Sequence, residues 1–291
     1  MPSFVVCGAT GRTGSVVAKE LRNRGHQVTA IVRDPTRAGR LESQGVRVAH
    51  GSLDNDEAVT AALRDADGFF VILPEDPFSA DFHGPRRRMI AAMATAVRES
   101  TVPHTVLLSA IAASLPEGNG PARDLHELED ALNDTGTVLT TLRASWLQEN
   151  IGAAIPAATS AGIYPNFMPS ADSPFPTIAT VDVGRIAAEV LTDEPRQETI
   201  DLLGPAYSVR QMSQVLGRAL GKVLRVVDIP PPAQVPTLMQ AGLSQAFAEA
   251  VAQLYACFGS GRVRPRGDRQ LAGTTTLEET TTAMLAGPVK P

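Results

Sequence analysis

The sequence is short of the residues that staple a small fold or anchor it in a bilayer. Only two cysteines, Cys7 and Cys257, occur in 291 residues. They stand far apart and in no CxxC or metal-ligand spacing, which excludes a disulfide framework and a zinc site. No uninterrupted apolar run approaches the roughly 20 residues that a bilayer span needs. The first residues have neither the basic start nor the apolar stretch of a signal peptide, so the expected location is the cytoplasm and no membrane partner is expected. Basic charge is also scarce. The formal net charge is -5, and without a basic stripe there is no counterion-release term to hold nucleic acid. One tryptophan, Trp146, and three tyrosines, Tyr164, Tyr207 and Tyr255, limit which segments can offer an indole or a phenol to chemistry.

What is present is an ordinary globular composition, 43% hydrophobic and 20% charged, enough for one large or two modest domains. The densest basic clusters are Arg86-Arg87-Arg88 and Arg262 to Arg269. Three arginines in a row read as a solvated helix face, with a phosphate contact as the alternative. Cys7 lies in the first apolar run and reads as a small buried hydrophobe.

The first half alternates. Short apolar runs at Phe4–Cys7, Val28–Val32, Val46–Ala49, Gly68–Leu73, Thr105–Ser109 and Val138–Leu142 are separated by helical segments at Thr13–Arg24, Pro35–Gln44, Asp56–Arg64, Pro85–Glu99 and Leu125–Asn133. Most of the runs lack period-2 alternation, as strands buried on both faces do. Strand–helix repetition of this kind predicts right-handed βαβ units and a parallel sheet. Gly25 is placed to end the first helix, and Asp34-Pro35 to open the second.

The second half changes character. From Ile151 to Pro176 the chain is rich in Pro, Ala and Ser, including "IPAATSAGIYPNFMPSADSPFP", and reads as loop with short elements. "DVGRIAAEVL" then predicts a helix, "TIDLLG" a strand and "SVRQMSQVLGRALG" another helix. "VLRVVDIPPPAQVP" predicts a strand running into a proline-rich turn, and "TLMQAGLSQAFAEAVAQLYACF" one long helix. Thr276 and Glu279 fit a capping box that opens a final helix. The fold class expected is α/β, a Rossmann-type doubly wound parallel sheet over residues 1–150 and 176–203. A smaller, discontinuous α+β substrate domain is expected over 151–175 and 204–291.

The strongest local motif is "SFVVCGATGRTGSVVAKEL". Gly8, Gly11 and Gly14 stand in a GxxGxxG spacing between an apolar strand and an amphipathic helix. In such a turn the first glycine allows the bend, the second lets the backbone approach a pyrophosphate, and the third lets helix pack on strand. The amides at the helix start, Thr10 to Gly14, then face the phosphates. The alternative is a glycine turn with no ligand. In an NAD site an acidic residue about 20 positions on, at the end of the second strand, accepts from the ribose hydroxyl. Here that place holds Arg33, a guanidinium suited to a 2′-phosphate. Arg12, inside the turn, is a second cation at the same end. Asp34 follows as the helix cap. The expected cofactor is NADP(H).

Several segments together resemble the NmrA-like family of atypical short-chain dehydrogenases/reductases: "CGATGRTG", "AIVRDP", "GVRVAHGSLDNDEAVTAAL", "GFFVILP", "HTVLLSA", "TTLRASWLQEN", "TVDVGRIAAEVL" and "LAGTTTLEE". They cover nearly the whole chain in order. Within the family the chain is most similar to the bacterial NADPH-dependent quinone and triphenylmethane-dye reductase branch. The resemblance implies a cofactor path. Gly8 to Gly14, with Thr10, Gly11, Arg12 and Thr13, hold the pyrophosphate, and Arg33 the 2′-phosphate. Leu53 and Asp54 flank the adenine, Leu73 and Pro74 lie by the ribose, Ser109 and Ala110 pass near the nicotinamide ribose, and Ala144, Ser145 and Trp146 lie near the nicotinamide. Gly51-Ser52-Leu53 departs from the family's usual Gly-Asp-Leu, which bears on the adenine contact alone.

Standard reductases of the superfamily use a Tyr-x-x-x-Lys pair on the helix after the fifth strand, and none of the three tyrosines is placed there. Related oxidoreductases put a Lys or His near the start of that helix, and here the candidate catalytic residue is His126, able to polarise a carbonyl or supply a proton. The alternative is an exposed or capping helix histidine. Trp146 offers an apolar floor for a flat acceptor, or packs between domains; Gln148 and Asn150 can orient a polar group. Phe78, Phe82 and His83 can line the opposite wall. The resemblance implies an NADPH-dependent reductase of a small conjugated or charged substrate such as a quinone, dye, enone or imine. Its alternatives are an NADP(H)-sensing regulatory protein without turnover and a tailoring reductase for one biosynthetic intermediate. Composition leaves the oligomeric state open.

Overall fold

The computed structural model describes residues 1–287. The first half runs β1 (Ser3–Cys7), α1 (Arg12–Asn23), β2 (Gln27–Val32), α2 (Ala38–Ser43), β3 (Arg47–His50), α3 (Asp56–Leu63), β4 (Gly68–Val71), α4 (His83–Ser100), β5 (His104–Ala110), α5 (Ala122–Asn133) and β6 (Val138–Ala144). It continues through β7 (Trp146–Leu147), α6 (Ile155–Ala161), β8 (Ile163–Asn166), β9 (Phe175–Ile178), α7 (Thr180–Thr192), β10 (Glu198–Leu203), β11 (Ala206–Tyr207) and α8 (Val209–Leu220). It ends with β12 (Arg225–Asp228), α9 (Pro231–Gln240), α10 (Gln245–Gly259), β13 (Arg269–Ala272) and α11 (Leu277–Leu285).

Eight strands form one sheet in the order β13-β10-β6-β5-β4-β1-β2-β3, and every pair in it is parallel. The chain builds outward from β1 to β3, then returns to the other side of β1 with β4. Between β1 and β4 the connections leave in opposite directions, and the carboxyl ends of those strands open a crevice. Strand residues alternate between two cores. Phe4, Val6, Phe70, Val106 and Leu142 face α1 and α7. Val5, Cys7, Phe69, Val71 and Leu107 face α3, α4 and α5. Burial on both faces accounts for the continuous apolar runs.

A smaller unit packs over the carboxyl ends. It contains the three-stranded sheet β11-β9-β7, the pair β12-β8, and a core of Ile151, Tyr164, Met212, Leu216 and Leu277. The last strand, β13, lies inside the 204–291 segment read above as substrate domain, and it pairs in parallel with β10 at the edge of the large sheet. The predicted capping box is present, with Thr276 Oγ1 receiving the Glu279 amide and Glu279 reaching back to the Thr276 amide. Among the described residues no helix is long and apolar enough to cross a membrane.

The single long helix expected from Thr237 to Phe258 is two helices. α9 begins within the prolines, with Pro231 and Pro232 in its first turn, where a missing N–H costs nothing. It stops at Ala241 because Gly242 takes a left-handed φ of +94°. Ser244 then caps α10 by accepting from the Phe247 amide.

Candidate functional site

The glycine turn occupies the crevice between β1 and β4. Gly8 has φ +66°, and a Cβ there would run into the Ile72 side chain after β4. A Cβ on Gly14 would stand 2.7 Å from the Cys7 carbonyl oxygen and 2.5 Å from the Gly8 carbonyl carbon, so α1 sits directly on the end of β1. Gly11 donates its amide to the Gly8 carbonyl at 2.8 Å and closes the turn. It precedes α1 with no side-chain cap, and α1 has no acidic residue in its first turn. Among the described residues the amides of Arg12, Thr13 and Gly14 have no protein acceptor. Free amides, a helix dipole and the absence of a carboxylate make an anion site. A Cβ at Gly8 or Gly14 would clash with its surroundings, and one at Gly11 would stand 3.2 Å from the Gly8 carbonyl oxygen. Cys7, beneath the turn, is fully buried, and burial pushes its thiol up to about 12; it is inert packing.

Arg12 and Arg33, expected at the adenosine end, are both exposed. Asp34 caps a short 3-10 turn at Pro35–Arg37 and not α2, which starts at Ala38 with no side-chain cap: its Oδ1 accepts from the Thr36 amide at 3.0 Å and from the Thr36 hydroxyl at 2.7 Å. The Thr36 hydroxyl and amide hold the Asp34 carboxyl below its usual range. A third cation was missed by sequence reasoning. Arg37 donates to the Thr10 carbonyl at 3.2 Å, bracing the glycine turn from the second βα connection; its signal was the i+4 spacing from Arg33.

The remaining predicted positions fall along the carboxyl ends of the strands. Leu53 is half-buried against the α3 core and Asp54 is exposed after β3. Leu73 is buried and Pro74 exposed after β4. Ser109 and Ala110 end β5 in register with Arg143 and Ala144 of β6. The Ser109 hydroxyl is already engaged, donating to Glu129 Oε1 of α5 at 2.5 Å. Glu129 in turn receives Arg143 through Nε at 3.1 Å and Nη2 at 2.5 Å. Ser145 donates its amide to Leu202, and its buried hydroxyl has no partner among the described residues. Trp146 is half-buried in β7, edge-on to Phe175 at 5.9 Å. Phe175 also lies 6.4 Å from Phe258 of α10, which extends the aromatic wall. Asn150 is exposed, whereas Gln148 is buried and locked between Thr177, Thr275 and Thr280.

The opposite wall follows β4. Phe78 is 71% exposed, whereas Phe82 is buried and packs at 5.0 Å on Phe247 of α10. His83 and Arg86 both converge on Asp124, a fully buried carboxylate in the first turn of α5. His83 Nδ1 lies 2.9 Å from each carboxylate oxygen. Arg86 donates through Nε to Asp124 Oδ2 at 2.6 Å, through Nη1 to the Pro74 carbonyl at 3.0 Å and through Nη2 to the Pro121 carbonyl at 3.2 Å. Its guanidinium lies 4.9 Å from the centre of the Phe82 ring. The solvated-face reading of the arginine run therefore holds for Arg87 and Arg88, which are exposed, and fails for Arg86, which is 2% exposed. A buried guanidinium needs this full set of acceptors. His126 stands away from that cluster, with Nδ1 on the Ala113 carbonyl at 2.9 Å and Nε2 3.6 Å from Asp130.

Comparison with known proteins agrees with the fold. The model of the NmrA-like family matches residues 3–280. An NAD(P)H azoreductase of Xenophilus azovorans is 27% identical over 255 residues, covering 87% of this chain and 86% of that protein. The solved structure of an NADPH-dependent quinone oxidoreductase from Escherichia coli, complexed with NADPH, superposes with a TM-score of 0.80 at 24% identity, over 97% of this chain and 99% of that one. The triphenylmethane reductase of Citrobacter sp. gives a TM-score of 0.80 at 23% identity, over 98% and 100%. At these identities the two structures speak for the shared fold.

Proposed function

The chain belongs to the NmrA-like family, and on that premise we propose that it is an NADPH-dependent oxidoreductase acting on a small conjugated acceptor: a quinone, a dye, an enone or an imine. The observation that carries the cofactor half is the cradle of free amides at Arg12, Thr13 and Gly14, in a turn whose Gly8 and Gly14 admit no Cβ. The names of the similar proteins, an azoreductase, a quinone oxidoreductase and a triphenylmethane reductase, support the acceptor half. When bound, NADPH supplies hydride from its nicotinamide ring.

The chain supplies the rest. Gly8 to Gly14 bind the pyrophosphate, and Arg12 and Arg33 pair with the 2′-phosphate. Leu53 and Asp54 flank the adenine, and Leu73 and Pro74 flank its ribose. Ser109, Ala110, Ala144 and Ser145 carry the nicotinamide end, where the unpartnered Ser145 hydroxyl is free to orient the carboxamide. Trp146 and Asn150 on one side and Phe78, Phe82 and His83 on the other enclose a flat acceptor. His126 closes the loop after β5 through Ala113. The smaller unit shapes specificity, and the expected place of action is the cytoplasm, where NADPH is available.

Two measurements test this reading. Purified protein should oxidise NADPH with at least one of a quinone, an azo dye and a triphenylmethane cation. Tight cofactor binding with no turnover across that panel would favour the sensing role instead. For the cofactor choice, Arg33→Ala is expected to weaken NADPH binding by about 10- to 100-fold, the loss of one charge-assisted pair. NADH binding should change by less than about threefold. Equal weakening for both cofactors would show that Arg33 does not read the 2′-phosphate.

A further inference from the structure

We propose that His83 is the proton donor of the reaction, an imidazole held in place by the buried carboxylate of Asp124. The proposal rests on the reductase reading and deepens it. Asp124 is fully buried, and both its oxygens lie 2.9 Å from His83 Nδ1. A carboxylate so placed keeps a proton on Nδ1 and fixes the ring plane. Nε2 is thereby the nitrogen left to exchange a proton, and it has no partner among the described residues. The side chain remains 31% exposed.

A merely structural role leaves that geometry unused. Arg86 alone already ties α4 to α5 and to the end of β4 through three hydrogen bonds. His83 stands at the start of α4, where the loop from β4 returns to the crevice, next to Phe82 and the Phe247 wall. Other charged groups around it are accounted for. Arg123 lies 3.6 Å from Asp124 and also pairs with Glu127, and Glu75 lies 3.7 Å from Arg86.

The step balances as follows. An azo bond receives hydride at one nitrogen and a proton from His83 Nε2 at the other, so N=N becomes HN–NH while NADPH becomes NADP⁺. A quinone receives the same hydride and proton and becomes the hydroquinone. In both cases the neutral imidazole regains its proton from solvent along its exposed edge. A triphenylmethane cation differs in kind. Hydride on its central carbon gives the neutral leuco dye, and no proton is consumed.

That difference supplies the test. The variant is His83→Gln, at a half-exposed position, with NADPH affinity and melting temperature measured alongside. The ratio of azo or quinone turnover to triphenylmethane-cation turnover is expected to fall by about 100-fold, the usual weight of a general acid. In the unsubstituted protein, nitrogen-detected NMR of the His83 ring should find the neutral form protonated on Nδ1. Equal losses with all acceptors, or no loss with any, would overturn the assignment, as would a ring protonated on Nε2. Turnover of the cation alone by the unsubstituted protein would also overturn it. A protein that binds NADPH and reduces none of the three overturns the reductase reading itself, and the donor with it.

Discussion

Gly14→Ala is expected to raise the Kd for NADPH by more than about 100-fold, an effect of about 2.8 kcal/mol or more. The added methyl would have to lie 2.7 Å from the Cys7 carbonyl oxygen and 2.5 Å from the Gly8 carbonyl carbon. These are backbone atoms of a buried strand end, so no rotamer change relieves the clash. α1 must slide away from β1, which moves the amides of Arg12, Thr13 and Gly14 out of register with a phosphate. Overpacking of this kind also costs about 1–3 kcal/mol of stability. Fluorescence titration with NADPH and urea unfolding measure the two effects. Gly25→Ala is the control. Gly25 also needs a positive φ, +85°, but its Cβ would meet nothing within 4 Å. It is expected to lose about 1 kcal/mol of stability and to keep its NADPH affinity. Comparable binding losses in both variants would show that the Gly14 effect is a general loss of folding.

The contrast between these glycines marks how far the sequence is readable. GxxGxxG announces a turn, and its place between strand and helix announces a phosphate site, because both signals are local. The strands of the first half are equally local: continuous apolar runs admit few other readings. The capping box at Thr276 and Glu279 and the cap at Asp34 are legible for the same reason. Arg86 is not. In "RRRM" nothing separates it from Arg87 and Arg88. Its burial comes from α5, which brings Asp124 and the Pro121 carbonyl from more than thirty residues away. The join between α9 and α10 was obscured in a different way. Gly242 falls within an alanine-rich stretch of helical period, and only its left-handed backbone shows the stop. β13 was hidden by its charged composition, since at the edge of the sheet only Leu271 contributes to the core.

The two walls of the proposed acceptor site are held by different means. The Trp146 side rests on aromatic packing with Phe175 and Phe258, which adapts to substituents on a flat acceptor. The His83 side rests on an ionic cluster with fixed partners. Gly120 joins the two. At φ +60°, it brings the segment before α5 against the Ala250 carbonyl of α10, in a space that a Cβ would occupy. Changes in α10 are therefore transmitted to the first turn of α5, where Asp124 stands.

Arg86→Met should be the most destabilising single substitution in that wall, by about 3–5 kcal/mol. Methionine matches the aliphatic stem but leaves the buried Asp124 with only Arg123, 3.6 Å away and outside hydrogen-bond distance, as a permanent counter-charge, and it strands the Pro74 and Pro121 carbonyls. The cost arises from those orphaned groups more than from the lost pair. It follows that the double variant Arg86→Met, Asp124→Leu should be more stable than Arg86→Met alone, because the poorly compensated carboxylate is gone. The two carbonyls would still lack their donor, so stability should not return in full. Arg86→Lys should recover only part of the loss, since one ammonium cannot span Asp124 Oδ2, Pro74 and Pro121 with a fork geometry. Urea unfolding of the unsubstituted protein, the single variants Arg86→Met and Asp124→Leu, and the double variant gives the coupling energy directly. Strict additivity of the two single substitutions would show that Arg86 and Asp124 are held by their separate packing, and that the cluster behind His83 does not act as a unit.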